Sequence, residues 1–251
     1  MIEGKSAVAT IDPVIGQAPV IDGIIDGSID EWEEVTPVSI ELYQNISIPE
    51  NGLPIEIKIL QHGNFLYIYV QFELEPIDFK DDQFLGILVS TSESEDEDDF
   101  FDAKIVQFSN ITTGELEYND YYINNSVYFE DDDSIINGNG AANLENNRMT
   151  YEFSLPVKDY NNTVYDQLLE AQTSYAFKIV FGNNPSYPEG ISHQNIVIIN
   201  VKFPPEEPEP FNIELLYFVL SIIIFGSIGS IFGFYLYKIA TLKQEIKRMR
   251  G

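Results

Sequence analysis

Residues able to carry out chemistry are few in this chain, and most of them are carboxylates. His62 and His193 are the only histidines, and cysteine is absent. These counts exclude a zinc site built from several His and Cys ligands and a cysteine nucleophile. The sequence has no G-x-S-x-G elbow that would support a Ser–His–Asp arrangement. A glycosidase needs two nearby carboxylates, but in a chain with 41 acidic residues the presence of such a pair is uninformative. The sequence predicts no catalytic residues and no catalytic domain.

Two acidic runs have the chemistry of a calcium site. The first run spans residues 93–99 and is followed by Asp102, and the second spans residues 130–133. Carboxylate oxygens suit calcium, but neither run carries the glycine that an EF-hand loop requires. Runs of this kind are usually solvated loops. Calcium is therefore one cofactor hypothesis, and no metal ligand is assigned.

The charge balance restricts the partners. The chain has 13 Lys and Arg against 41 Asp and Glu, a formal net charge of −28. Such a surface repels nucleic acid, so a DNA or RNA partner is not expected. Without cysteine there is no disulfide to stabilise an extracellular domain. N-glycosylation sequons, which predict surface positions, begin at Asn45, Asn110, Asn124 and Asn161.

The elements that would position these residues are mostly strands. Residues 55–60 alternate between apolar and polar, residues 61–64 can turn, and residues 65–74 are rich in aromatic and β-branched side chains, which together predict a hairpin. Only residues 164–173 have a helical pattern. Further strands are predicted at residues 84–90, 104–108, 115–123, 148–155, 175–181 and 194–203, with turn-rich stretches at 136–140 and 182–190. The fold class is all-β: an antiparallel, jelly-roll-like β-sandwich.

A single transmembrane α-helix is predicted after the sandwich. Residues 215–237 contain no charge, and a helix of 23 residues is about 35 Å long, enough to cross a bilayer core. A buried core helix of that length would normally have a polar face. Basic residues follow the segment, which predicts a cytoplasmic C-terminus and an extracellular N-terminal domain. Those residues are Lys238, Lys243, Lys247, Arg248 and Arg250, against one acidic residue, Glu245.

The chain divides into five segments on this interpretation. They are an N-terminal extension (1–18), the sandwich (19–203), a Pro/Glu-rich stalk (204–212), the transmembrane helix (213–237) and a basic cytoplasmic tail (238–251), which is expected to form a short amphipathic helix at the inner leaflet. Residues 1–20 show no signal peptide. The true start could lie upstream, a signal could have been removed, or the helix could be a tail anchor with the domain in the cytosol. The charge asymmetry favours a lost signal.

Small residues recur at helical spacing within the predicted anchor. Gly226, Gly229, Ser230 and Gly233 include one GxxxG step. Small residues let two membrane helices approach closely, so a homodimer or a partner within a membrane complex is one expectation.

Four stretches, in order, resemble family 9 carbohydrate-binding modules and the related DOMON-like sandwiches. IDG at 21–23 followed by SIDEW at 28–32 is similar to the opening signature of the family. GNFLYIYV at 63–70, DQFLGILV at 82–89 and RMTYEFSLP at 148–156 are similar to three of its strands. The likeness covers residues 19–203 and implies a β-sandwich.

The resemblance also implies roles for individual residues. In the opening signature, Asp22, Gly23, Asp30 and Trp32 would be structural, with the only tryptophan of the chain serving as a core anchor.

Sugar binding in this family resembles a clamp of two aromatic rings, with amide and charged groups that grip the hydroxyls. By motif order the rings would be Phe79 and Tyr187, where the family usually has tryptophan, and Asn183 and Asn184 would be the amide partners.

Three functional hypotheses follow. In the first, the chain is a membrane-anchored extracellular module that captures polysaccharide or cell-envelope glycan, without catalysis, for a partner enzyme such as a glycoside hydrolase. In the second, it is a structural or adhesive surface protein, stabilised by calcium, that has lost the sugar groove. In the third, it carries haem for electron transfer, as some DOMON-like relatives do, with Met149 as an axial ligand. A lone methionine in a strand is normally core filling, which disfavours haem.

Overall fold

The computed structural model describes most of the chain as two separate compact units. The described residues are 9–23, 32–46, 51–93, 96, 99–124, 127–130, 138–157, 169–185, 190–202 and 213–249. The first unit spans residues 1–205 and contains the strands, and the second spans residues 206–251 and contains one helix.

The strands of the first unit are between two and eleven residues long. In chain order they are β1 (Ala9–Ile11), β2 (Val14–Ile15), β3 (Val38–Leu42), β4 (Leu53–His62), β5 (Phe65–Glu73), β6 (Phe84–Ser90), β7 (Phe100–Asn110), β8 (Glu115–Asn124), β9 (Val127–Glu130), β10 (Asn139–Glu145), β11 (Arg148–Pro156), β12 (Ser174–Gly182) and β13 (Ile191–Asn200). A 3-10 turn, Pro76–Asp78, precedes β6.

The strands form two sheets. Sheet A has the order β1-β13-β12-β6-β7-β8-β9, and sheet B has the order β10-β11-β5-β4-β2, with β3 also paired to β4. The pairing is antiparallel except for β1 with β13 and β2 with β4. The predicted all-β sandwich is therefore confirmed, with two short parallel pairings.

The core lies between the sheets because strands of both sheets place apolar side chains on the facing sides. Ile55, Ile57 and Ile59 of β4 point into it and are at most 2% exposed, as period-2 side chains of a strand should when one face is buried. A second apolar cluster includes Phe84, Leu88 and Ile105 of sheet A. A third includes Trp32, which lies in a turn, together with Leu60 and Tyr69 of sheet B.

The two ends of the first unit's described chain are tied to both sheets. Residues 9–15, placed outside the sandwich by the sequence, form β1 in sheet A and β2 in sheet B, because their backbone completes the edges of β13 and β4. At the other end, the buried Gln61 of β4 clamps the backbone of Lys202. Its Oε1 accepts from the Lys202 N–H at 2.9 Å, and its Nε2 donates to the Lys202 carbonyl at 2.7 Å.

Most of the sequence-predicted elements agree with the structure. The 55–74 hairpin is present as β4 and β5, with Gly63 at φ 54° in the connecting turn. The predicted helix at 164–173 is wrong for its described part, residues 169–173, because Leu169 bridges Val157 instead. The turn predicted at 136–140 is also wrong in part, because Asn139 and Gly140 pair with β11.

The helix of the second unit, α1 (Ile213–Met249), has 37 residues and is about 55 Å long. Its length and apolar composition suit a membrane span, and an 18-residue window of the helix has a mean hydropathy of 1.8. It runs without a break through Lys238 and beyond, so the predicted amphipathic tail is a continuation of the same helix.

Candidate functional site

A buried carboxylate joins the opening signature to sheet B. Glu152 on β11 is fully buried, and its Oε1 accepts a 2.8 Å hydrogen bond from Nε1 of Trp32. Its Oε2 accepts from the backbone N–H of Gly23 at 2.8 Å and of Asp22 at 3.2 Å. Burial raises the pKa of Glu152, while the three N–H donors act in the opposite direction. This contact joins Asp22, Gly23 and Trp32 of the opening signature to the strand motif at 148–156.

The Trp32 ring has the structural role that the resemblance implied. It is 1% exposed and packs against Tyr69, with ring centroids 5.4 Å apart. Lys58 Nζ donates to the Trp32 carbonyl at 3.0 Å and lies 5.5 Å from the centre of the Tyr69 ring. Burial raises the pKa of Tyr69 to about 12. Trp32 is therefore unavailable for stacking on a sugar, and Asp30 lies outside the described residues.

The predicted sugar-clamp residues come from two loops at one end of the sandwich. Phe84 begins β6 and pairs with Gly182, which ends β12. The loop before β6 carries Phe79, and the loop after β12 carries Asn183 and Asn184. The structure thus brings these three residues to the same end, whereas Tyr187 lies outside the described residues.

The first of these two loops is held by backbone and amide hydrogen bonds. Gln83, 2% exposed, donates from Nε2 to the carbonyl of Asp78 at 2.7 Å. The N–H of Phe79 donates to Pro76 at 3.4 Å. The Phe79 side chain is half-buried. The ring therefore has a fixed support and a face that solvent reaches.

The second loop is closed by two glycines. The Asn183 N–H donates to the Gly190 carbonyl at 3.1 Å. A Cβ on Gly182 would lie 1.9 Å from that same oxygen, so only glycine permits the closure. Both Asn183 and Asn184 are exposed, and their amides can donate to and accept from hydroxyl groups.

A polar cleft of about 410 Å³ lies on the outer face of β5, β10 and β11. Gln71 Nε2 donates to Thr150 Oγ1 at 3.3 Å on its floor. Arg148, 3.7 Å from Glu73, stands at its rim. The residues that line the cleft are Gly23, Gln71, Asn143, Glu145, Asn146, Arg148 and Thr150.

Sequence reasoning missed this cleft. The signal was present in β11, where Arg148 and Thr150 alternate with Met149 and Tyr151, so one face had to be polar. β10 was not recognised as a strand, and without it the amide of Asn143 could not be placed beside Thr150.

The acidic runs lie partly outside the described residues. Asp96 is exposed, whereas Asp102 is buried and pairs with Lys104 at 3.1 Å. Lys104 also pairs with Asp120 on the next strand. The described residues contain no group of three or more metal-ligating side chains. Calcium binding by these runs stays a prediction.

The predicted glycosylation positions differ in their surroundings. Asn45 and Asn124 are exposed, and Asn161 lies outside the described residues. Asn110 is half-buried, and its Oδ1 accepts from the N–H groups of Thr112 and Thr113, both at 3.0 Å. Glycosylation at all four stays a prediction.

The histidines and Met149 have local packing roles. His62 Nδ1 lies 2.7 Å from the Gly16 carbonyl, and His193 Nδ1 lies 3.0 Å from Ser192 Oγ. Burial lowers the pKa of His193. Met149 is fully buried in the inter-sheet core. The haem hypothesis stays a prediction, which a visible absorption spectrum of the purified protein tests.

Comparison with known proteins finds similarity at the level of structure. No family model and no curated protein matches the sequence. A family 9 carbohydrate-binding module from Caldicellulosiruptor kristjanssonii, in complex with glucose, is 15% identical with a TM-score of 0.42 and covers 80% of this chain and 100% of its own. The complex of such a module from the same organism with cellotriose is 13% identical to this chain with a TM-score of 0.43, and the coverage of both chains is the same.

A cytochrome b domain is among the similar structures as well. The cytochrome b domain of pyranose dehydrogenase from Coprinopsis cinerea is 7% identical with a TM-score of 0.37 and covers 66% of this chain and 88% of its own. The family to which the motifs are similar is thus among the structures that this chain resembles. At such low identities and TM-scores, no ligand or residue role is transferred, and the two sheets described above establish the fold.

Proposed function

We propose that this protein is a membrane-anchored, non-catalytic module that binds glycan at the cell surface. The ligand site is the loop end of the sandwich, where Phe79 offers a ring and Asn183 and Asn184 offer amides. Tyr187 is the proposed second ring. Sugars expose apolar C–H faces and hydroxyl edges, so a ring beside amides matches both parts of such a ligand.

The observation that carries the proposal is the convergence of the two loops. The pairing of Phe84 with Gly182 fixes their bases on adjacent strands. Gln83 holds one loop, and Gly190 closes the other. Because strands and hydrogen bonds hold the bases of both loops, we expect binding to order less of the chain and so to carry a smaller entropic cost.

The anchor completes the proposed function. Tyr217 stands near the start of the uncharged segment, and Tyr235 and Tyr237 stand at its end, about 27–30 Å further along a helix. Tyrosine is enriched at both faces of a bilayer, and basic residues remain on the cytoplasmic side. We therefore place the sandwich outside and Lys238 onwards inside.

The test is glycan binding by the full-length chain in a detergent without a sugar head group. An array of neutral and acidic oligosaccharides is probed with calcium and again with a chelator. Asn183→Ala and Phe79→Ala should each weaken the strongest signal about tenfold, the loss expected for one good contact. Asn139→Ala, which changes an exposed asparagine of β10 outside both loops and outside the four sequons, is the control.

Two results would contradict the proposal. One is the absence of binding by a folded sample in either condition, which would favour the structural or adhesive surface protein. The other is binding that survives both loop variants, which would move the glycan site elsewhere on the molecule.

A further inference from the structure

We propose that the cleft on sheet B is a second saccharide site, which holds a neutral sugar by its hydroxyl edge. This inference rests on the proposed function for the ligand class. It concerns a different surface, formed by strands rather than by the loops that carry Phe79 and Asn183.

The cleft is assembled by strand register. Asn143 on β10 pairs with Thr150 on β11, which in turn pairs with Gln71 on β5. Three polar side chains therefore stand in a row across the sheet. Directly paired residues on one face of a sheet lie about 4.5–5.5 Å apart at Cβ, a spacing that successive hydroxyls of one sugar can bridge.

The next register row closes one side of the cleft. Glu145 and Glu73 pair with Arg148 from either side. The β10–β11 turn brings Asn146 alongside, with its Nδ2 donating to Glu145 Oε1 at 3.4 Å. The rim therefore adds a guanidinium, a carboxylate and an amide to the row of hydrogen-bonding groups.

The opposite side is fixed by the buried carboxylate. Gly23 lines the cleft, and its N–H is held by Glu152 at 2.8 Å. A Cβ at Gly23 would lie 2.5 Å from the Ala142 carbonyl carbon, so the backbone of Gly23 lies directly against β10. The volume of about 410 Å³ lies within the range of about 300–1,000 Å³ that is typical of small-molecule sites.

The chemistry of the lining selects a neutral polyhydroxy ligand. The charged side chains among the described lining residues are Arg148 and Glu145, one of each sign, and the other polar side chains of the lining are three amides and one hydroxyl. Amides and hydroxyls both donate and accept, as sugar hydroxyls do. The described lining residues include no aromatic ring, so the sugar is held by its edge rather than by stacking. A cation would prefer more than one carboxylate.

The test locates saccharide binding with photoreactive derivatives of neutral hexose and N-acetylhexosamine oligosaccharides. The full-length chain is cross-linked in the same sugar-free detergent, and the labelled peptides are identified by mass spectrometry. Asn143→Ala and Thr150→Val should each lower labelling around residues 138–150 about tenfold. Labelling near residues 79 and 183 should not change in these variants.

Asn139→Ala is the matched control. Asn139 lies on the same strand and face as Asn143, pairs with Ser154 and does not line the cleft. Its replacement should leave cleft labelling unchanged. Fluorescence of Trp32, the only tryptophan, reports whether each variant is folded.

The outcomes separate this inference from the proposed function. Cleft labelling that falls in Asn143→Ala and Thr150→Val but not in Asn139→Ala supports the second site. Labelling confined to the loops leaves the proposed function intact and overturns the second site, as does cleft labelling that these two variants do not change. Labelling confined to the cleft supports the second site and overturns the loop site. A folded sample without labelling overturns both.

Discussion

The indole N–H of Trp32 meets the carboxylate of Glu152 at 2.8 Å across 120 residues of sequence. The same carboxylate holds the backbone of Gly23 and Asp22. One buried side chain on β11 thus fastens the signature loop to sheet B, and the polar cleft lies beside the junction. The packing of this end of sheet B should therefore be sensitive to small changes at Glu152.

Replacing Glu152 by glutamine should destabilise the sandwich by about 1–3 kcal/mol. The amide has one oxygen, so it cannot accept from both Trp32 and Gly23, and a buried N–H loses its partner. Trp32 fluorescence during urea unfolding of the full-length chain measures the change. Glu56→Gln removes the same charge from an exposed position of β4 and should stay within about 0.5 kcal/mol of the parent. Equal effects of the two variants would contradict the role assigned to Glu152.

The stability contributed by Glu152 should decline as pH rises. Its pKa is raised in the folded state because burial disfavours the carboxylate, and the charge of Asp22 adds to this. The folded protein then binds the proton more tightly than the unfolded chain, so the contribution is complete below the unfolded pKa and is lost as pH passes the folded pKa. The stability gap between the parent and Glu152→Gln should shrink from pH 4 towards pH 8. A stability gap that widens as pH rises would show that the three N–H donors lower the pKa of Glu152 more than burial raises it.

Gly23→Ala should cost at least about 2 kcal/mol more than Gly63→Ala. Both glycines have positive φ, 74° and 54°, so both alanines pay a similar backbone strain. At Gly23 the new Cβ would also collide with the Ala142 backbone, whereas at Gly63 nothing lies within 4 Å. Thermal unfolding followed through Trp32 gives the difference. Similar costs would mean that the signature loop shifts away from β10 without penalty.

The sequence predicted the centre of each sheet better than its edges. β4 and β5 were recognised because Ile55, Ile57 and Ile59 alternate with polar residues and a Gly-Asn turn follows. β10, with the sequence NGAANLE, has no β-branched side chain and forms through pairing with β11. Similarly, β1 and β2 are only three and two residues long and depend on the strands they join. Local pattern cannot reveal an edge strand that its neighbour specifies.

The sequence could suggest only part of the candidate site, for the same reason, and ligand binding by its residues stays a prediction. The resemblance selected Phe79, Asn183 and Asn184, and the topology places all three at one end. Glu152 was quoted only as part of a strand motif, because its partners lie 120–130 residues earlier and no local spacing links them. The cleft depended on the register of three strands, which composition does not encode.

Tyr151→Phe should stabilise the sandwich by about 1–3 kcal/mol. The Tyr151 hydroxyl is fully buried between the sheets and has no hydrogen-bond partner among the described residues, so its removal relieves a desolvation cost. Tyr175→Phe is the matched control and should destabilise the sandwich, because the Tyr175 hydroxyl accepts a hydrogen bond from the Glu170 N–H at 2.9 Å. Urea unfolding of both variants measures the contrast. Loss of stability in Tyr151→Phe would show that its hydroxyl is satisfied.

Single cysteines should report the orientation of the anchor without background, because the chain has none of its own. Thr91→Cys, at an exposed position of the sandwich unit, should react with a membrane-impermeant maleimide on intact cells. Gln244→Cys, near the basic end of α1, should react only after permeabilisation. The reverse pattern would place the sandwich in the cytosol.

The Gln61 clamp on Lys202 also determines how the sandwich would carry a mechanical load. β13 begins at the 183–190 loop and ends at Asn200, so the chain leaves the sandwich at the end opposite the proposed glycan loops. Tension between a bound glycan polymer and the proposed membrane anchor would act along β13. The hydrogen bonds between β13 and β12 would then be loaded in shear. Many hydrogen bonds would then resist together instead of opening one at a time. Because Gln61 belongs to sheet B, it would pass part of that tension from the departing chain to the second sheet.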